Sequence, residues 1–333
     1  MLFFLIVFSY LLTACYAEAP GYIYALSNNG STNEWNFIVA DLLTFEVLPR
    51  GDPIIDAEAL GQAALVIDTT FYSMLLVRDP TNSSNDKILL TGIETSTGKR
   101  VINYDTRAWP NVLGRGFFIE ALFSSNKKPG FIFVVGRSLG QPEQLLIDLD
   151  TSSGITTLRG IVNCSGGDIT WNEIDERLYE TITDGNDEDS GSLIIISTST
   201  NGSSPSILST FALEDHFGFS MFDPLSKNLF GLTLQTGGVN GYMRNFTALS
   251  TQDKRYNATS HGDLGELYVV LEDGPKAFDT TTRRAFFMLA SGPFAEFEIT
   301  AIDVDSIPVK ILETPGLCGF IGYCPQAFAF GSR

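Results

Sequence analysis

Five glycines, Gly61, Gly116, Gly167, Gly218 and Gly262, each precede a short apolar stretch, and they recur about every 45 to 55 residues. An interval of that size is the length of a structural repeat. It matches one antiparallel unit of four short strands. The third repeat shows this most plainly. Phe117 to Phe123 reads as a first strand, a Lys-Lys-Pro-Gly turn leads to Phe131 to Val135, Gln144 to Asp150 makes a third, and Ile155 to Ile161 makes an exposed outer strand carrying Arg159.

Units of this size stacked around an axis give an all-β fold, a β-propeller of four-stranded blades. Gly21-Tyr22-Ile23-Tyr24-Ala25-Leu26 reads as a second strand with no first strand before it, while Gly292 to Asp303 reads as a first strand. Pairing N- and C-terminal strands would close the ring and leave no open sheet edge. The count is then six blades, with five or seven as alternatives because the sixth repeat is short.

Two turn patterns recur. Asn172-Glu173-Ile174-Asp175-Glu176-Arg177-Leu178-Tyr179 and Asp223-Pro224-Leu225-Ser226-Lys227-Asn228-Leu229-Phe230 each place an Asp early in a turn and a Leu-aromatic pair at the next strand. The Asp is suited to accept turn N–H groups, and the pair to bury against a neighbouring blade. The hairpins starting at Asp41, Glu94, Asp150 and Asp279 read as links from third to outer strands. The first pattern resembles the inner hairpin of YVTN-type, gluconolactonase-like and low-density-lipoprotein-receptor-type propellers across most of the chain, at the level of repeat pattern. The gluconolactonase-like resemblance implies a divalent metal, calcium or another, held in the channel by Glu, Asn and Asp side chains. Glu120, Asn172 and Glu266 are the nearest candidates, each with an ordinary solvated role as its alternative.

Leu2 to Leu12 is an apolar run too short to cross a bilayer, followed by small residues through Ala17. Residues 1–17 therefore read as a secretory leader, 18–312 as the propeller, and 313–333 as a tail. Leu12-Thr13-Ala14-Cys15 also resembles a lipobox, in which case Cys15 would carry lipid. Asn29, Asn82, Asn163, Asn201, Asn245 and Asn257 open Asn-x-Ser/Thr acceptors for N-glycosylation. In an oxidising compartment Cys318 and Cys324 are spaced to close a small disulfide loop, and Cys164 is left as a buried thiol or an intermolecular partner.

A net charge of −18 opposes binding to phosphate backbones and anionic lipid, so nucleic acid is excluded as a partner class. The two histidines, His216 and His261, both read as preceding first strands of adjacent blades, where loops ring the channel mouth. With Arg115 and Asp168 at matching positions, they form the candidate ligand-binding set; backbone-bonded loop histidines are the plainer reading. The acidic run from Asp184 to Asp189 lacks the order of a calcium-binding loop and reads as a solvated hairpin in blade four. Trp35, Trp109 and Trp171 lie beside strand-like sequence, as core residues or as platforms for sugars. No phosphate-binding loop, nucleophile elbow, Cys-x-x-Cys pair or zinc-protease helix is present. The sequence therefore predicts a secreted, monomeric binding or scaffold propeller for extracellular protein or glycan ligands, without a transmembrane anchor or an obligatory cofactor. A metal-dependent propeller hydrolase or lactonase is its rival.

Overall fold

The computed structural model describes residues 21–29, 34–112, 116–138, 140–162, 168–184, 187–198, 204–234, 243–252, 256–265, 267–268, 276–291, 296–312 and 327–331. Blade 1 uses β1 (Tyr22–Asn29), β2 (Glu34–Asp41) and β3 (Val47–Ile54). Blade 2 uses β4 (Ala57–Ile67), β5 (Thr70–Val77), β6 (Lys87–Glu94) and β7 (Arg100–Asp105). Blade 3 uses β8 (Phe117–Ser124), β9 (Phe131–Ser138), β10 (Gln144–Asp150) and β11 (Thr156–Val162). Blade 4 uses β12 (Asp168–Asn172), β13 (Arg177–Asp184), β14 (Asp187–Ser197) and β15 (Ser206–Leu213). Blade 5 uses β16 (Phe217–Asp223), β17 (Asn228–Leu234), β18 (Met243–Ser250) and β19 (Ala258–Asp263). Blade 6 begins with a split inner strand, β20 (Leu267–Tyr268) and β21 (Lys276–Asp279), followed by β22 (Arg284–Ser291), β23 (Glu296–Asp303) and β24 (Lys310–Leu312). The last strand, β25 (Ala327–Gly331), returns to pair with β1 as the innermost strand of blade 1.

The result is a six-bladed antiparallel β-propeller. Its inner strands touch in sequence around the axis, from β25 through β4, β8, β12, β16 and β21 back to β25. Closure by N- and C-terminal strands matches the sequence expectation, but the closing segment differs. Residues 296–303 form the third strand of blade 6, and Ala327–Gly331, which a boundary at 312 assigns to a tail, supplies the missing inner strand. Ala327, Phe328 and Ala329 are buried there, so this short apolar segment is held by core packing as well as by its ladder.

No blade has a core of its own. The buried side chains form six clusters, one in each cleft between successive blades. Because side chains alternate across a strand, neighbouring residues serve opposite clefts. Ile23 and Ala25 face blade 6, while Tyr24 and Leu26 face blade 2. The same alternation divides the Leu-aromatic pairs. Leu178 packs toward blade 3 and Tyr179 toward blade 5; Leu229 packs toward blade 4 and Phe230 toward blade 6. This two-sided burial explains the near-continuous apolar runs of the central strands. Trp35 and Trp109 are likewise buried in interblade clefts.

The two turn patterns share one geometry. Asp223 Oδ1 accepts from Leu225 N at 3.0 Å and Oδ2 from Ser226 N at 2.9 Å. Asp279 and Asp41 cap their turns in the same way, through Thr281 N at 2.9 Å and Leu43 N at 2.7 Å. In blade 4 the cap is Asn172 rather than Asp175, with Oδ1 accepting from Ile174 N at 2.9 Å. Four residues beyond each cap the backbone enters the left-handed region, at Phe45, Glu176, Lys227 and Arg283, or at Gly98 and Gly154 in the Glu94 and Asp150 turns. Hydrogen bonds from the Ser152 hydroxyl and amide hold the Asp150 carboxyl down at about 2. The common geometry hides which strands a turn joins. The Asp279 hairpin links the inner and second strands of blade 6, not the third and outer strands.

The same frame shift moves Gly262 and His261 onto β19, the outer strand of blade 5. Arg159, on the outer strand of blade 3, turns inward: its side chain is 8% exposed and its Nε lies 2.9 Å from Asp148 Oδ2. Lys128 reaches the same oxygen at 2.8 Å.

Candidate functional site

The inner strands of blades 2 to 6 surround a cavity of about 550 Å³ on the ring axis. That volume is in the range of small-ligand sites. Three of the strands that line it are bulged: β4 between Ala59 and Ala64, β8 between Ile119 and Ala121, and β16 between Gly218 and Met221. A bulge leaves residues unpaired and re-aims their side chains. Here the displaced residues include Gln62, Glu120 and Ser220, all of which line the cavity. In β16 the bulge forces Phe219 to a φ of 56°, a conformation costly for a bulky side chain, and the burial of its ring between blades 5 and 6 holds it there. Bulges are over-represented next to functional sites, where they re-aim side chains.

Two ion pairs lie in the lining, one across blades 4 and 6 and one within blade 3. Lys276 Nζ of blade 6 donates to Asp168 Oδ1 of blade 4, and Asp168 Oδ2 accepts from the displaced Ser220 amide of blade 5. Beside it, Thr170 Oγ1 donates to the Ser220 carbonyl and Ser220 Oγ donates to Thr170 Oγ1 at 3.0 Å. In the neighbouring blade 3, Arg137 Nε lies 2.8 Å from Glu120 Oε1, and Gln144 Nε2 donates to Glu120 Oε2. Both carboxylates are nearly buried, at 13% exposure for Asp168 and 12% for Glu120, whereas the Arg137 side chain is 43% exposed. The apolar part of the wall comes from half-buried rings, Phe118, Phe123, Trp171, Phe222 and Phe278. Trp171 is stacked on Phe133 at 5.5 Å, so one side chain serves both the cleft and the channel.

Of the residues singled out in the sequence, Asp168 and Glu120 meet in this cavity. Asn172 does not, because its amide oxygen is spent on the β12–β13 turn. His216 precedes β16, is buried, and does not line the cavity. His261 is far from a channel loop: its ring packs edge-on against Phe230 and Phe246, and Nδ1–H donates to the Ser306 carbonyl at 3.2 Å. Its position follows from the misread start of blade 6. Arg115, Glu266, Cys15, Cys164, Cys318, Cys324, Asn163 and Asn201 lie outside the described residues. Asn82 and Asn257 are exposed, Asn245 is half-buried in β18, and Asn29 ends β1.

Sequence reasoning missed Arg137 and Lys276. Arg137 ends an apolar run, and Lys276 sits in the inner strand of the blade whose frame was misread, so neither carried a local signal. Of the donor set implied by the gluconolactonase-like resemblance, Glu120 is paired with Arg137, Asn172 is committed to a turn and Glu266 lies outside the described residues; among the described residues no group of three His, Cys, Asp or Glu side chains converges.

No protein-family model and no curated protein matches this chain. Solved structures do. TolB from Acinetobacter baumannii aligns with a TM-score of 0.61 at 12% identity, over 94% of this chain and 67% of that one. A chain of a nidogen/laminin complex aligns with a TM-score of 0.58 at 11% identity, over 93% of this chain and 97% of that one. The likeness is one of fold. At such identities it places the chain among propeller architectures and transfers no site.

Proposed function

We propose that this chain is a secreted, N-glycosylated propeller that acts as an extracellular binding module, taking protein or glycan ligands at its central channel. One observation carries the reading: bulged inner strands open a channel cavity whose carboxylates are each matched by a cation. Such a lining can orient a ligand by hydrogen bonds and cover its apolar parts with aromatic rings. Among the described residues it shows no cluster of uncompensated carboxylates of the kind a metal-dependent hydrolase needs. Fold likeness to a chain of a nidogen/laminin complex supports the binding class at the level of architecture only. Secretion rests on the leader and the glycan acceptors, two of which, Asn82 and Asn257, are exposed. Among the described residues no helix is long and apolar enough to cross a membrane.

The test uses Thr280, an exposed residue at the cavity lining whose replacement by Trp narrows the channel without entering a core cluster. Wild type and Thr280→Trp are compared on a glycan array and against displayed extracellular proteins. Ligands bound by wild type and lost in the variant support the channel as the site. Ligands retained by the variant place the site elsewhere, and chelator-sensitive lactone hydrolysis by the wild type establishes the enzyme instead.

A further inference from the structure

We infer that the channel takes a ligand bearing a single carboxylate on an apolar body, with the carboxylate held by Arg137 and Lys276. The inference rests on the channel being the binding site and deepens that reading.

It follows from which hydrogen-bonding groups of the lining are already used. Both Asp168 oxygens are occupied, by Lys276 and by the Ser220 amide. Glu120 Oε2 accepts from Gln144, and Glu120 Oε1 lies 2.8 Å from Arg137 Nε. Ser220 and Thr170 hydroxyls are directed at each other and at the Ser220 carbonyl. The two carboxylates of the lining are therefore both engaged by cations. The donors of those cations are not all used. A guanidinium carries five N–H donors and an ammonium three. Arg137 contacts Glu120 alone through Nε, which leaves the two terminal nitrogens of a half-exposed fork, and Lys276 contacts Asp168 alone. A lining whose carboxylates are engaged while its cations keep N–H groups to spare favours a ligand that accepts, and a carboxylate matches a guanidinium fork in two parallel bonds.

Charge sets the number of carboxylates. The two cations are each balanced locally, and the chain as a whole carries −18, so a polyanion approaches against the protein's own field. One negative charge is accommodated by the exposed fork; several are not. The remaining wall is apolar, with Phe118, Phe123, Phe222 and Phe278 half-buried around it, and suits an aromatic or alkyl body. A free organic acid and the C-terminus of a peptide share this chemistry.

The test is calorimetric titration of the full secreted chain with 4-phenylbutyrate, its neutral amide, a hexapeptide ending in a free C-terminal Phe, the same peptide amidated, and cellotriose. The acids are expected to bind at least about tenfold more tightly than their amides, as charge-assisted bidentate bonds require. Arg137→Gln, at a half-exposed position and with thermal unfolding confirming that it is folded, is expected to abolish that preference by lowering acid affinity to that of the amides. Lys276→Met is expected to weaken the acids further, with thermal unfolding confirming that it is folded. Binding of the butyrate identifies a free acid as the source, and binding of only the free-ended peptide identifies a chain terminus. Equal affinity for acid and amide, an unchanged preference in Arg137→Gln, or binding of none of the acids overturns the inference. Cellotriose bound by wild type and lost in Thr280→Trp overturns it too, yet leaves the channel as the site.

Discussion

Removing Arg283 should cost far more than removing its exposed partner, because it bridges two blades through a buried carboxylate. Arg283 Nη1 lies 2.7 Å from Asp223 Oδ2, on the inner hairpin of blade 5, while its Nε and Nη2 hold Asp305 of blade 6 at 2.7 and 2.8 Å. The Asp223 side chain is 0% exposed and that of Asp305 is 60% exposed. Burial pushes the Asp223 carboxyl up, but bonds from the Ser226 hydroxyl, Arg283 and the turn amides outweigh it and hold the group below its ordinary value. Arg283→Ala leaves that charge buried with only its turn donors, at a cost of about 3 kcal/mol. With about 0.65 kcal/mol/K of unfolding entropy for a chain of this size, the midpoint should fall by about 5 °C. Asp305→Ala removes only the exposed half and should cost under about 1 kcal/mol. Since the folded-state pKa of Asp223 is depressed, its contribution is present in full above the unfolded value of about 3.9 and is lost as pH falls through the folded value. The gap between wild type and Arg283→Ala should therefore be constant at neutral pH and close in acid. Thermal melts from pH 7 down to pH 3 read both effects. Equal small losses for the two variants, or a gap that widens in acid, would refute this account of the bridge.

Three further outcomes are expected. Truncation after residue 326 removes β25 and the buried Ala327, Phe328 and Ala329, and should abolish cooperative unfolding in denaturant, whereas removing only residues 332 and 333 should leave the midpoint unchanged. The milder Phe328→Ala should cost about 3 to 5 kcal/mol, read as a shift of the denaturant midpoint. Gly98 and Gly130 both have positive φ, but a methyl at Gly98 would run into the Arg50 carbonyl while one at Gly130 meets nothing within 4 Å. Gly130→Ala should thus cost about 1 kcal/mol from backbone strain, and Gly98→Ala clearly more, in the same melts.

Blade size, strand alternation and ring closure were legible in the sequence because each is written in local pattern. The third repeat matched its strands within a few residues, since apolar runs and Gly turns mark every boundary there. Blade 6 was misread for a physical reason. The Asp-capped turn with a left-handed fifth residue serves inner hairpins at Asp223 and Asp279 and outer hairpins at Asp41 and Asp150 alike, so the turn alone does not fix the frame. That slip carried His261 to a supposed channel loop and put Lys276 in a supposed third strand. The channel lining was only partly legible. Asp168 and Glu120 were visible as carboxylates near first strands, but the cations that neutralise them come from other strands, and the bulges that aim them leave no signature in composition.

Calorimetric titration of calcium and of zinc into the secreted protein decides between a binding channel and one that holds a catalytic metal. A binding channel takes up neither ion stoichiometrically and is not thermally stabilised by either. Uptake of one ion, lost in Glu120→Gln or Asp168→Asn and raising stability by about 2.7 kcal/mol at a hundred times its dissociation constant, would contradict the binding reading and establish the metal-dependent hydrolase.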